Sequence, residues 1–278
     1  MPIKVTDLTY VYDEGMPTEQ VALQNVSFQV EDGEVLGIIG HTGSGKSTLL
    51  QHLDGLLRPN SGTIEIGDTD ITKHGVSMVD IRKKVGLVFQ YPEYQLFEET
   101  VEKDVAYGPK NLGLSEEEAA ERAREAVTLV GLDFEKIRDR SPFELSGGQK
   151  RAVAIAGVIA MKPQVLILDE PTAGLDPRTH DDILNIIRTI HQRTGNMIIL
   201  VSHNMGDIAS IADKVLVMDT GRSVAYGTPL EIFSREEDLK EIGLDLPPVT
   251  RFCKKLGIEE TVLTLDEAVE KIKEFIGA

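Results

Sequence analysis

The chain has 278 residues, is 41% hydrophobic, contains one cysteine and carries a formal net charge of −17. This length allows one large domain or a main domain with a small appendage. The acidity argues against wrapping nucleic acid, which requires a basic surface. Because no apolar run approaches the roughly 20 residues of a membrane helix, we expect any membrane role to come through a partner.

The N-terminal thirty residues predict two antiparallel strands. Residues 3–12 and 21–30 alternate apolar and polar side chains, as half-buried strands do. Tyr10 and Tyr12 end the first strand on one face, and either ring could stack on a purine base. An ordinary structural role in the strand is the alternative for both rings.

The most informative stretch follows the apolar run Val35–Ile39 and leads into a helix. Its glycines allow successive backbone N–H groups to face a phosphate at the positive end of a helix dipole. Lys46 would reach the β- and γ-phosphates, and the Ser47 hydroxyl would ligate Mg²⁺. A chance glycine-rich turn is the weaker alternative, because every fixed position of a P-loop is filled. The predicted nucleotide-binding residues are Gly40, His41, Thr42, Gly43, Ser44, Gly45, Lys46, Ser47 and Thr48.

Strands are also predicted at residues 63–66 and 85–89, the second leading to Gln90. The segment that follows, residues 91–98, is named here the docking loop. It carries three aromatic side chains, an unusual composition for a solvated loop. It is either a docking surface for a partner or a loop packed on its own core. Helices are predicted at residues 100–110 and 115–131.

A second candidate anion site lies in the segment Leu145–Gln149, named here the signature segment. Ser146 and Gln149 have the spacing of a capping box, which is the structural alternative. Gly147 and Gly148 also leave bare N–H groups at the start of a helix predicted to end near residue 160. Two anion sites on one chain suggest that a ligand is clamped from two sides.

Polar side chains follow two further buried strands. Val165–Leu168 delivers Asp169 and Glu170 to the carboxyl end of a strand, where ligands bind in parallel sheets. We expect Asp169 to lie near Mg²⁺ and Glu170 to orient and deprotonate the attacking water. Asp176 is predicted to cap the helix that begins at Pro177.

The strand at residues 197–201 leads to His203. A lone histidine is more often structural, but this is the third strand to end in a polar residue at one sheet edge. We therefore favour contact between His203 and the γ-phosphate or its water. Residues 214–219 and 222–226 predict a hairpin. After Thr228 only short helical stretches follow, and Cys253 among them is expected to be a buried apolar residue.

In this order the motifs resemble the ATP-binding subunits of ABC transporters over residues 3–230. The resemblance implies an α/β P-loop ABC-ATPase fold, with a mixed core sheet, an antiparallel β subdomain and an α-helical subdomain near residues 91–160. These would form an ATP-binding domain at residues 1–228. A small C-terminal helical extension, residues 229–278, would serve dimer contacts.

The same resemblance implies roles for the motif residues. Two subunits would sandwich ATP and Mg²⁺, with each P-loop facing the partner's signature segment, namely Ser146, Gly147, Gly148 and Gln149. Ser47, Gln90 and Asp169 would be the metal residues. Glu170 would be the general base and His203 the switch, with Gln90 sensing the metal and the membrane partner. Asp176 would form the D-loop, and Tyr12 matches the adenine-stacking position better than Tyr10.

His41-Thr42, the docking loop and the helical tail look like the second ATPase (A) component of energy-coupling factor transporters. That resemblance implies an ATPase motor of a vitamin or micronutrient importer, peripheral to the cytoplasmic face of a prokaryotic membrane. Its partners would be a second ABC-type ATPase in a heterodimer, a transmembrane T component and substrate-binding S components. Glu93 or Glu98 would pair with an arginine of the T component. The alternatives are a soluble single-cassette ATPase, as in cofactor assembly, and a non-hydrolysing scaffold, against which Glu170 argues.

Overall fold

The computed structural model describes residues 1–277 and divides the chain into two units. The first unit comprises Met1, Leu53–Gly55 and Gly75–Ile199, and the second comprises Pro2–His52, Leu56–His74 and the chain from Leu200 onward. Ala278, the last residue of the predicted extension, lies outside the described residues. The domain boundaries expected at residue 228 and around residues 91–160 stay predictions.

Ten strands and twelve α-helices are present among residues 1–277. The strands are β1 (Ile3–Tyr12), β2 (Gln20–Val30), β3 (Val35–Ile39), β4 (Ser61–Ile66), β5 (Thr69–Asp70), β6 (Val85–Val88), β7 (Val165–Asp169), β8 (Met197–Val201), β9 (Lys214–Asp219) and β10 (Arg222–Gly227). The helices are α1 (Lys46–Leu53), α2 (Met78–Lys84), α3 (Val101–Asn111), α4 (Glu116–Leu129), α5 (Phe134–Ile137), α6 (Gly147–Ile159), α7 (Pro177–Thr194), α8 (Met205–Ile211), α9 (Pro229–Phe233), α10 (Glu236–Glu241), α11 (Pro248–Lys255) and α12 (Leu265–Ile276).

The second unit contains the predicted antiparallel strands in a four-stranded sheet of order β2-β1-β4-β5. Strand β1 pairs on one side with β2, Ile3 opposite Val30, and on the other with β4, Ile3 opposite Ile66. The buried apolar positions of β1 and β2 are Ile3, Val5, Leu8, Leu23, Val26, Phe28 and Val30, whereas Val21 is exposed. The period-2 pattern of the sequence therefore identified most of the buried face, with Val21 as the exception.

Strand β3, which precedes the predicted P-loop, is buried at all five positions. It pairs in parallel with β9, with Ile39 opposite Val217, and β9 turns back into β10 as the predicted hairpin. The loop after Ile39 therefore starts beside the end of β9. Helix α8, which was not predicted, packs on β3 so closely that a Cβ at Gly37 would lie 2.7 Å from the Ile208 side chain.

The first unit pairs β6 and β7 in parallel and packs α3, α4 and α6 against one another. The predicted capping box of α4 is present, with Ser115 and Glu118 bonded reciprocally. In α7 the buried side chains recur at Ile183, Ile187 and Ile190, one face of an amphipathic helix. The predicted helices and strands are present with bounds that differ by one or two residues: the strand predicted at 85–89 ends at Val88, and the helix predicted at 115–131 ends at Leu129.

The C-terminal residues form short helices, as predicted, with a small core of their own. Cys253 of α11 is buried together with Ile258, Val262 and Ala268. Burial raises the pKa of the Cys253 thiol, in agreement with the apolar role expected for it. Of the helices within residues 1–277, none has the length and apolar character to cross a membrane.

Asp54 follows α1 and is only 7% exposed. Burial raises the pKa of its carboxyl to about 6, against the opposing charge of Arg82. Because the folded chain keeps this proton to higher pH than the unfolded chain, the associated stability is full at acidic pH and is lost as the pH rises through the folded pKa.

We expect Asp54→Asn to raise the free energy of unfolding at pH 7.5 by roughly 1–3 kcal/mol, because the amide carries no buried charge. Near pH 4 the variant and the parent should be equally stable. Urea unfolding at both pH values measures this, with the exposed Asp68→Asn as the matched control. An equal effect of Asp54→Asn at both pH values would contradict the assignment.

Candidate nucleotide-binding site

The predicted P-loop connects β3 to α1 within the second unit. The Lys46 ammonium donates to the carbonyl oxygens of Gly40, at 2.8 Å, and of His41, at 2.9 Å. Ser44 is fully buried, and its hydroxyl has no hydrogen-bond partner among residues 1–277. The loop is therefore curled around the ammonium group that is expected to reach phosphate oxygens.

The two tyrosines at the end of β1 have different surroundings. The Tyr10 ring packs edge-on against Tyr12 at 4.8 Å and against His52 at 4.6 Å between ring centroids. The Tyr12 hydroxyl lies 3.3 Å from the Thr48 hydroxyl, at the end of the P-loop. Because Tyr12 is the one that reaches the P-loop, its position supports the predicted base-stacking role.

In the first unit, Gln90 and Glu170 come together. Strands β6 and β7 run in parallel with Val88 opposite Leu168, so the residues after them leave at the same edge. The Gln90 amide donates to a Glu170 carboxylate oxygen at 2.9 Å. Glu170 has φ +49°, a left-handed conformation that costs a non-glycine residue roughly 1–2 kcal/mol. Such strain is common where a side chain must be aimed at a ligand.

The expected magnesium residues fall in both units. Asp169 ends β7 in the first unit, which also contains Gln90, whereas Ser47 lies in the first turn of α1 in the second. A carboxylate, an amide and a hydroxyl are all hard oxygen donors, the type that Mg²⁺ prefers. The donor chemistry of these side chains therefore fits the metal that the resemblance implies.

The signature segment begins α6 with the capping box that the sequence offered as a structural alternative. The Ser146 hydroxyl accepts from the Gln149 N–H at 3.3 Å, and the Gln149 amide oxygen accepts from the Ser146 N–H at 3.1 Å. A Cβ on Gly148 would lie 2.6 Å from the Thr179 methyl group of α7, so glycine allows the two helices to approach. Capping and anion binding are compatible, because Gly147 leaves open space beside the helix start.

Asp176 and His203 occupy fixed turns. Asp176 caps α7 as predicted, accepting from the Arg178 and Thr179 N–H groups at 3.1 Å each. His203 is exposed after β8, in a turn in which the buried Ser202 hydroxyl accepts from the Asn204 N–H. Asn204 in turn caps α8. His203 belongs to the second unit, together with the P-loop.

Arg151 is a residue whose importance the sequence did not suggest. It is 1% exposed and donates two hydrogen bonds to Glu93, at 2.7 and 2.9 Å. It also donates to the carbonyl oxygens of Pro171 and Ala173, at 3.0 and 2.8 Å. A single guanidinium thus joins the helix after the signature segment, the docking loop and the turn after Glu170. An arginine within an alanine-rich helix was the only signal available.

The structure corrects the expectation for Glu93. Both oxygens of its carboxylate accept from Arg151 of the same chain, so the prediction that Glu93 pairs with an arginine of a partner is wrong. Burial is the largest influence and raises the pKa of Glu93, but the hydrogen bonds from Arg151 and from the Glu93 N–H, with the charges of Arg151 and Lys150, together lower it. The corresponding expectation for Glu98 stays a prediction.

Comparison with known proteins independently supports the resemblance inferred from the motifs. The family model described as ABC transporter matches residues 23–173. The energy-coupling factor transporter ATP-binding protein EcfA2 of Caldanaerobacter subterraneus subsp. tengcongensis is 57% identical, covering 99% of this chain and 98% of that protein. The EcfA2 protein of Clostridium tetani is 55% identical, covering 98% of this chain and 96% of that protein.

Solved structures agree with these matches. The cbiO1 structure from Clostridium perfringens, part of the ABC transporter complex cbiONQ, has a TM-score of 0.76 and 37% identity, covering 91% of this chain and 98% of that one. The dimeric ATP-binding cassette MJ0796 bound to ADP and Pi has a TM-score of 0.71 and 28% identity, covering 82% and 98%. The predicted fold class and both levels of the resemblance are confirmed.

We expect Glu93→Gln to lower the free energy of unfolding by about 3 kcal/mol, because it leaves the Arg151 charge buried without its counter-charge. Urea unfolding at neutral pH measures the loss. The matched control is Glu99→Gln, immediately after the docking loop, because Glu99 is exposed and pairs with Lys103 at the surface; we expect almost no change in its stability. Equal losses in the two variants would contradict the role given to Arg151.

Proposed function

We propose that this chain, which belongs to the ABC transporter family, hydrolyses ATP as a motor subunit of an importer of the energy-coupling factor type. The observation that carries the proposal is the 57% identity, over 99% of the chain, to an energy-coupling factor transporter ATP-binding protein. The substrate would be a vitamin or another micronutrient. The chain would be peripheral to the cytoplasmic face of the membrane, attached through its partners.

ATP binding follows from the P-loop and Tyr12. The backbone N–H groups of residues 40–48 surround the β-phosphate, and Lys46 neutralises the β- and γ-phosphates. Hydrogen bonds to two loop carbonyls already orient the Lys46 side chain. Because of this, the side chain loses little further entropy when its ammonium binds phosphate oxygens. The Tyr12 ring stacks on adenine without regard to the base edge.

Hydrolysis requires a positioned water and a base. Glu170 takes the proton of the attacking water, and Gln90, bonded to it, orients the carboxylate. His203 contacts the γ-phosphate side of the nucleotide and reports its presence. Ser47, Gln90 and Asp169 are the residues that would hold Mg²⁺, which would neutralise the charge that develops on the phosphate oxygens.

The second anion site is used by a partner ATPase. Ser146, Gly147 and Gly148 at the start of α6 contact the ATP of the opposite subunit, so each nucleotide joins two chains. The C-terminal extension contributes to this contact through its apolar surface. Phe252 and Phe275 are 54% and 58% exposed, and Leu265 is 72% exposed, an apolar surface that a partner subunit would cover.

The docking loop faces the membrane partner. Tyr94 is 84% exposed and Phe97 57% exposed, and the Phe97 ring packs edge-on against Tyr107 at 4.9 Å. These aromatic rings and the carboxylate of Glu98 suit a helix end of a transmembrane T component that presents apolar and basic side chains. S components would bind the transported substrate.

We expect purification of this chain from its native membranes to recover a second ABC-type ATPase, one shared transmembrane protein and several small membrane proteins. Mass spectrometry of the recovered complex makes this measurement, with the same purification from the soluble fraction as control. Recovery of soluble partners alone would contradict transport while leaving ATP hydrolysis in place.

Within the purified complex, Glu170→Gln is expected to retain ATP and to lower turnover at least about 100-fold, because the amide cannot accept the proton of the water. The trapped nucleotide should keep the two ATPase chains associated in size-exclusion chromatography with light scattering. Lys46→Ala should instead weaken binding of a fluorescent ATP analogue, and Glu99→Gln should change neither. Turnover that survives in Glu170→Gln would exclude Glu170 as the base.

A further inference from the structure

The segment of residues 218–221, which comprises the end of β9 and the turn into β10, contacts the P-loop at three successive points. A Cβ on Gly40 would lie 2.3 Å from the Met218 carbonyl oxygen, so only glycine fits where the loop begins. Asp219 bonds His41 next in sequence, at 2.8 Å from its Nε2. The Gly221 N–H donates to the Ser44 carbonyl at 3.1 Å. These three contacts therefore hold the P-loop against residues 218–221.

His41 connects residues 218–221 to Lys46, the lysine expected to bind phosphate. Its side chain bonds Asp219, while its own carbonyl oxygen accepts from the Lys46 ammonium at 2.9 Å. Any displacement of the His41 backbone would move one of the two acceptors that direct Lys46. The chain of contacts from Asp219 through His41 to Lys46 lies entirely within the second unit.

The two ring nitrogens of His41 both face oxygen acceptors. Nε2 lies 2.8 Å from the Asp219 carboxylate and Nδ1 lies 2.8 Å from the Thr42 carbonyl. A neutral imidazole has one N–H and would place a lone pair against one of these oxygens, whereas the imidazolium donates to both. The hydrogen bond to Thr42 and then that to Asp219 raise the pKa of His41, opposed by desolvation and by the Lys46 charge.

We infer that Asp219 is a positioning residue for ATP, acting through the imidazolium of His41 to fix the P-loop and the Lys46 ammonium. This inference rests on the proposed ATP binding and adds a residue from outside the loop. Since only the imidazolium donates to both Asp219 and the Thr42 carbonyl, ATP affinity should fall as the pH rises through the His41 titration. The charged groups that act on the ring are Asp219 at the end of β9 and Lys46 on α1.

The test is titration of the full-length chain with a fluorescent ATP analogue from about pH 6 to about pH 9, a range that brackets histidine titration. The parent is compared with His41→Gln, Asp219→Asn and, as the matched control, the exposed Asp68→Asn. Because His41→Gln has no imidazole at position 41, its profile shows how the other titratable groups change ATP affinity with pH. Relative to it, the parent should lose roughly three- to tenfold in affinity across the range, the effect of one hydrogen bond of ordinary net strength.

Asp219→Asn should bind the analogue more weakly than the parent at neutral pH. Its remaining pH-dependent fall in affinity should occur at lower pH than in the parent, while Asp68→Asn should have the same profile as the parent. In hydrolysis by the complex, Asp219→Asn should raise KM more than it lowers kcat. NMR of the histidine rings, with the His41 signal identified by its absence in His41→Gln, should show that Asp219→Asn lowers the His41 pKa.

The inference is overturned if the parent and His41→Gln have parallel affinity profiles, or if Asp219→Asn leaves the His41 titration unchanged. These outcomes are distinct from failure of the proposed function, in which the parent would bind no analogue at any pH.

Discussion

The constraint on which this structure depends is that strands β3, β7 and β8 are buried along almost their whole length, so their polar groups can only emerge at the ends. Strand β3 is buried at all five positions and β8 likewise, and four of the five residues of β7 are buried. A side chain that must meet solvent or a charged ligand can therefore sit only where such a strand stops. Gln90 and Glu170 in the first unit, and the start of the P-loop and His203 in the second, lie just after strands, whereas the signature segment does not.

Two buried cations, Arg151 and Lys46, then fix the segments that follow these strands. In the first unit Arg151 satisfies Glu93 and two carbonyl oxygens after Glu170, replacing the water that its guanidinium loses on burial. In the second unit the Lys46 ammonium likewise donates to the carbonyl oxygens of Gly40 and His41. Each cation bonds backbone carbonyls of a segment that has no regular secondary structure, and so gives that segment a defined shape.

The sequence predicted what depends on neighbours along the chain. The P-loop, the capping boxes at Ser115 and Ser146 and the cap at Asp176 each need residues only a few positions apart, so their spacing is sufficient to recognise them. The predicted hairpin belongs to the same class. Contacts that depend on distant residues escaped prediction, because a single sequence does not pair Asp219 with His41 or Arg151 with Glu93. Helices α2 and α8 were missed because each is seven residues long and shows too few turns for a period.

The correction at Glu93 changes how a membrane partner would act on the nucleotide site. Had Glu93 been free to pair with the partner, docking would have added a charge to a mobile loop. Instead, Glu93 and the Tyr91 ring are fixed to Arg151, whose guanidinium carbon lies 5.7 Å from the ring centroid. Gln90, bonded to Glu170, is the residue immediately before Tyr91. A displacement of the docking loop would therefore move α6 together with the Gln90 amide that bonds Glu170, the proposed base. Such coupling would rely on a rigid connection within the chain, and a partner would need only to push on the exposed aromatic side chains.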